Sequence, residues 1–352
     1  MNAMERNWPS HVGGPIKEFE MTILREYERE GFDHASLPRI ARQTMEDAPS
    51  IFDIDPAEVL EVAVTSGLPR QDWSNDFGEP VLTVANNRHF RVDLLFWAHN
   101  ASPTHSHVSC GAFAPVYGRR VHQTYSFHQH EEEEKGFRLG TLSALKRDTL
   151  ATGEAVEITP ELIHDLYWLK QPSVTLSLRC HNHPDLGSEQ RLRPWEFWET
   201  GVAVVDMVHQ DSANVNRQMS SLRLLQQVAP KRFRRTLKEV AAGGEALLVY
   251  HLAADIAGTN WGVDYYDDFL NALDLRSDSS GQAISALLPV LHRKSLYNQI
   301  RSHNEATQFA VGLLWNGTPV ERIDDFLATS YPQTEVQKAL QALDEITGPA
   351  DD

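Results

Sequence analysis

At 352 residues the chain is too long for one small barrel, so more than one domain is expected. It carries 32 basic and 49 acidic residues, and a net charge of −17 repels phosphate backbones, which excludes nucleic acid as the natural partner. An apolar share of 41% is enough for a sizeable core, while Cys110 and Cys180 alone, without CxxC spacing, exclude a disulfide framework or a zinc ribbon.

The amino terminus shows no charged-then-apolar signal pattern, and no run of 18 apolar residues occurs, so a cytoplasmic protein without membrane contact is expected. Residues 15–66 read as helical, with Asp55-Pro56 as a helix start that places proline in the first turn. The stretch 68–79 is turn-rich. From Val81 the pattern changes to strands. Phe90 to Trp97 alternates as a half-buried strand does. Val121–Phe127, Leu139–Leu145, Ala155–Thr159 and Ser173–His181 continue it, the last stopped by Pro184. Many short strands with turn signals suit a small antiparallel barrel.

From Pro194 onward the periodicity reads as helical. Trp195, Trp198, Val202 and Val205 fall on one helix face, a stripe expected to be buried against the barrel or a second subunit. Further helical stretches cover 246–257, 283–300, 305–316 and 334–346. The expected division is a helical segment at 1–79 packing on the barrel, the barrel at 80–189, and an all-helical domain at 190–352. That last domain could serve packing, homodimerisation or a lid.

The densest chemical signal is His105-Ser-His107-Val-Ser-Cys110-Gly111, with another glycine at Gly118. Two histidines two residues apart on an extended segment point to one face. Gly118 fits a turn that needs a positive φ. His164, in Pro160-Glu-Leu-Ile-His164, supplies a third imidazole on a strand returning from a turn. Three imidazoles without a carboxylate suit a borderline metal such as Fe(II) and leave coordination positions open.

This spacing resembles the cupin superfamily, whose first motif is HxH followed by Glu and then Gly. Gly111 stands where the Glu would be. Loss of that Glu, with three His holding ferrous iron, is the mark of the thiol dioxygenases. The HxH-x3-G-x6-G form looks most like the bacterial 3-mercaptopropionate and cysteine dioxygenase branch. That family carries Pro four residues before its third His, which Pro160 and His164 match. It also carries a Ser-x-His-x-Tyr triad beginning thirteen residues after that His. Here Ser177, Arg179 and His181 stand at offsets 13, 15 and 17 from His164, with the register kept and two side chains changed. The resemblance covers roughly residues 80–184.

The resemblance implies a cupin-type barrel with an Fe(II) site on His105, His107 and His164. Ser177, Arg179 and His181 would be its catalytic neighbours. O2 and a small thiol, such as an amino-acid derivative, would be its reactants. Gly111 keeps the ligand set neutral and makes room for an anionic thiolate. The family's thioether between a Cys at the Glu position and the triad Tyr cannot form in the same way, because Gly111 and His181 fill those registers. The animal enzymes grip the substrate carboxylate with an Arg upstream of HxH, but Val81–Val84 offers none. Arg179 is therefore assigned that grip, with a salt bridge to a barrel acid such as Asp93 as the alternative. Oxidative decarboxylation or rearrangement of a cysteine-like substrate stays open, as does a non-enzymatic cupin that senses a small molecule.

Three other constellations read as structural. His128-Gln-His130 leads into the acidic run Glu131–Glu134, a solvated hairpin. His183 lies at or past a strand end, and His251 with Asp255 suits a local hydrogen-bonded pair.

Overall fold

Three amphipathic helices lead the chain: α1 (Ser10–Arg29), α2 (Leu37–Asp47) and α3 (Pro56–Thr65). Val12, Ile16, Phe19, Ile23 and Tyr27 recur at helical spacing on α1 and are all buried. Asp55 starts α3 by accepting the backbone N–H of Ala57 at 2.9 Å. The computed structural model describes residues 10–65, 71, 78, 80–97, 102–134, 136–169, 173–185, 194–205, 213–258, 265–297, 304–315 and 318–347. The turn-rich stretch 68–79 lies almost wholly outside them.

Five strands form an antiparallel sheet: β1 (Val81–Asn86), β2 (Phe90–Trp97), β4 (Gly111–Tyr117), β7 (Val156–Ile158) and β9 (Ser173–Cys180), in the order β1-β2-β9-β4-β7. One face of it sends Val92, Leu94, Ala112, Ala114, Leu176 and Leu178 into a common core with α1 and α2. The other face sends Leu95, Trp97 and Phe113 against Leu150, Ile158 and Leu166. Gly118 makes the turn after β4 at φ +87°, as its position suggested.

Six further strands close an antiparallel barrel: β3 (Thr104–His105), β5 (Arg120–Glu134), β6 (Phe137–Leu150), β8 (Ile163–Trp168), β10 (Trp195–Phe197) and β11 (Val202–Val205). The ring runs β10-β11-β6-β5-β8-β3 and returns to β10. The expected architecture of helices, antiparallel barrel and helical C-terminal region is thus present.

The helical reading of residues 194–205 is corrected. They form the β10–β11 hairpin, with Trp195 opposite Val205 and Phe197 opposite Ala203. Gly201 turns it at φ +85°, and a Cβ there would lie 2.1 Å from the carbonyl oxygen of Gly140. The β-branched run Val202-Ala-Val-Val205 after a glycine is a strand signal that a coincidental helical spacing masked. The expected burial of Trp195, Trp198, Val202 and Val205 holds, because the hairpin is part of the barrel wall and the C-terminal helices pack on it.

Helices follow from α4 (Ala213–Val228) through α5 (Pro230–Gly243), α6 (Ala246–Ala257), α7 (Tyr266–Leu273), α8 (Ser279–Tyr297), α9 (Glu305–Trp315), α10 (Val320–Ala328) and α11 (Gln333–Thr347). α6 is buried almost all round and shares its core with β10 and β11. α9 lies against β8, where Gly312 lets the Tyr167 ring approach so closely that a Cβ would meet it at 2.2 Å. None of the described helices is long and apolar enough to cross a membrane.

Candidate metal centre

Strand pairing brings the histidines together. His105 on β3 stands directly opposite His164 on β8, and Thr124 on β5 flanks His164 on the other side. Asp165 points away from His164 by strand alternation and ties the three strands. Its Oδ2 accepts from Thr104 at 3.0 Å and from Tyr125 at 2.6 Å. Burial pushes its carboxyl up to about 6.

His107 follows β3 and completes the group. One ring nitrogen from each of His105, His107 and His164 falls within 4.8 Å of the others. Nε2 of His107 and Nε2 of His164 lie 2.9 Å apart. Two nitrogens about 2.1 Å from one ion at a right angle would be about 3.0 Å apart, so this pair fits a shared ion. His164 is buried and the other two are half-buried, which leaves an approach from one side.

Electrostatics favour ligation. Burial pushes His107 and His164 well below the usual imidazole range and His105 down to about 4, so all three are neutral with lone pairs available at neutral pH. Nδ1 of His105 donates to the carbonyl of Pro103 at 2.8 Å, which leaves Nε2 as its donor atom for a metal. The residues present therefore fit a divalent metal with an all-nitrogen protein ligand set.

Gly111 has a geometric reason for its identity. It pairs with Arg179 across β4 and β9, and a Cβ there would sit 1.9 Å from the Leu178 carbonyl oxygen. No residue with a side chain fits that close approach, a glutamate ligand included.

The three catalytic candidates on and after β9 part company. Ser177 is buried between Asp93 on β2 and Phe113 on β4, and the Phe113 ring packs 5.4 Å from that of His164. Arg179 shares the Ser177 side of β9 by strand alternation. Its Nη2 lies 3.3 Å from Asp93, the alternative partner anticipated for it. Asp93 is fully buried and also takes Arg91 at 3.0 Å and the Thr83 hydroxyl at 2.8 Å. His181 lies one residue past the end of β9, at the edge of the sheet, where its Nε2 pairs with Asn86 on β1, 2.9 Å away.

Two inward residues escaped the sequence reading. His122 on β5 is buried, and its Nε2 lies 2.9 Å from Nδ1 of His164. Arg120, two residues earlier on the same face, is 1% exposed. It donates to Thr175 at 2.7 Å and lies over the Phe113 ring at 5.7 Å. Burial alone pulls it down to about 9, with no carboxylate beside it among the described residues. Alternation from His122 along a β-branched run was the one available signal, but His122-Gln-Thr lacks any motif spacing. His128 and His130 are exposed on β5, His183 accepts the backbone N–H of Asp185, and Asp255 pairs with Arg223 at 2.8 Å rather than with His251.

No family model matches the chain, and no curated protein matches it. Among solved structures, hydroquinone 1,2-dioxygenase from Sphingomonas sp. TTNP3 with 4-hydroxybenzoate bound is 13% identical, covers 30% of this chain and 68% of its own, and has a TM-score of 0.24. A structure of the DMSP lyases RdDddP and RnDddQII is 13% identical over 54% of this chain and 97% of its own, with a TM-score of 0.29. The ycfD protein of E. coli is 13% identical over 47% of this chain and 51% of its own, with a TM-score of 0.22.

Proposed function

We propose that the chain is a mononuclear non-haem iron oxygenase of the cupin type, acting with O2 on a small thiol. The observation that carries this reading is the neutral, carboxylate-free ligand set, with His105, His107 and His164 converging from two strands and the loop between β3 and β4. Ferrous iron there would supply a redox-active centre with positions open for a thiolate and O2. A neutral ligand set leaves the ion's charge to be balanced by the substrate, which favours a thiolate over a thiol.

The chain's own residues supply orientation and charge. Arg179, on the Ser177 side of β9, is the proposed contact for a substrate carboxylate, sharing its guanidinium with Asp93. Arg120 is the proposed second cation, because a buried guanidinium without an acid is costly until an anion reaches it. Ser177 is the proposed hydroxyl that orients the bound reactants. Phe113, Leu95 and Trp97 supply the apolar wall that excludes water.

Metal analysis combined with an oxygen-electrode screen of thiols and amino acids tests this. One iron per chain with thiol-dependent O2 uptake is expected. Metal without uptake for any thiol would overturn the oxygenase reading in favour of a small-molecule sensor. Absence of any bound first-row metal would overturn the site itself.

A further inference from the structure

His164 is the most constrained of the three candidate ligands. It is 2% exposed, and both its ring nitrogens are engaged, Nε2 toward His107 and Nδ1 toward Nε2 of His122, each at 2.9 Å. A neutral imidazole carries one proton. If that proton sits on Nδ1, His164 donates to His122 and its Nε2 lone pair faces the metal position; if it sits on Nε2, the ligand is blocked.

His122 is placed to decide between these. It projects from β5, whose residue His122 pairs with Leu166 on β8, two residues along from His164. Its ring stands edge-on to Phe113 at 5.6 Å and to His164 at 5.0 Å, so packing holds it in one orientation. His105 shows the same arrangement with a different acceptor, since its Nδ1 donates to the Pro103 carbonyl. Two of the three candidate ligands therefore have a hydrogen-bonding partner behind Nδ1, one from the backbone and one from a side chain.

Resting on the metal reading, we infer that His122 is a positioning residue that accepts the Nδ1 proton of His164 and so fixes His164 as an Nε2 ligand. Metal-bound histidines almost always donate their second nitrogen to an acceptor, and loss of such an acceptor weakens metal affinity about 10–100-fold. His122 itself stays outside the ligand set, because its Nε2 is occupied by that hydrogen bond.

The test uses the full-length chain, Co(II) as the probe, and two substitutions. His122→Leu removes the acceptor, whereas His122→Gln keeps one in a side chain of similar reach. Co(II) affinity, measured by chelator competition, is expected to fall about 10–100-fold in His122→Leu and to be largely restored in His122→Gln. In the metal-free protein, imidazole 15N resonances should show His164 with its proton on Nδ1, shifting to Nε2 in His122→Leu. Co(II) affinity within twofold of the parent in a folded His122→Leu protein would overturn the inference and leave the metal site standing. A loss as complete as that of His164→Ala would also overturn it, by making His122 a ligand. A parent protein that binds no Co(II) would remove the metal reading and this inference with it. If His122→Leu fails to fold, the tautomer of His164 in the parent decides: a proton on Nε2 would refute the role.

Discussion

Val174, Leu176, Leu178 and Cys180 on one side of β9 pack against the N-terminal helices, whereas Thr175, Ser177 and Arg179 on the other side meet buried polar groups of β2 and β5. Both sides are almost fully shielded from water. The apolar side is held by burial, with about 1.5–3 kcal/mol for each large aliphatic side chain. The polar side needs hydrogen-bond partners for the groups it buries, and most have them. Thr175 accepts from both Trp97 at 3.0 Å and Arg120 at 2.7 Å, and Asp93 takes two arginines and a threonine. Apolar residues of similar volume would often stabilise such a layer equally or better. Packing thus explains the identities on the helix side, while polar pairing explains those on the other.

The largest expected break in that contrast is His164→Ala. It should abolish stoichiometric metal while leaving the helix-side core intact, read by metal analysis alongside circular dichroism. A folded variant that still holds one ion per chain would place the site elsewhere. Leu178→Ala, on the opposite face one residue from Arg179, should cost about 2–5 kcal/mol of stability by leaving a cavity. Its metal content should not change, and denaturant melts with metal analysis check both.

Arg120→Met sharpens the contrast in the other direction. Removing a buried cation that has no acid beside it among the described residues should leave the melting temperature unchanged or raise it. Yet KM for a carboxylate-bearing thiol should rise about tenfold or more, the scale of one charge-assisted hydrogen bond. A variant that is destabilised and catalytically unaltered would make Arg120 purely structural.

The smallest effect is on pH dependence. Burial pushes His122 in the barrel and His251 on α6 each down to about 4, below the ordinary 6.5 that an unfolded chain would show. The unfolded state therefore binds protons first as pH falls. Stability from these two groups is fully present above about pH 6.5 and lost progressively down to about pH 4. His122→Gln and His251→Gln should each flatten that slope in metal-free melts, and an unchanged slope in both would contradict the shifts.

Sequence alone was enough for an antiparallel barrel set between helices and for the three converging histidines, but not for the barrel's bounds, which take in Trp195–Phe197 and Val202–Val205. Phe90–Trp97 is β2 to the residue, and 246–257 is α6 to the residue, because alternation and helical repeat are local properties of the chain. The HxH motif and His164 were legible because their spacing carries information before folding. Tertiary structure decided the rest. The hairpin at 195–205 replaced a helix because the barrel needed two strands to close, a demand no local period expresses. His181 took Asn86 as its partner at the edge of the sheet, and His122 entered because β5 pairs with β8 in a register that sets its Nε2 against His164. Which of several buried groups become neighbours depends on strand pairing between residues tens of positions apart. That pairing is settled by the burial and hydrogen bonding of the whole fold, not by the residues on either side of each group.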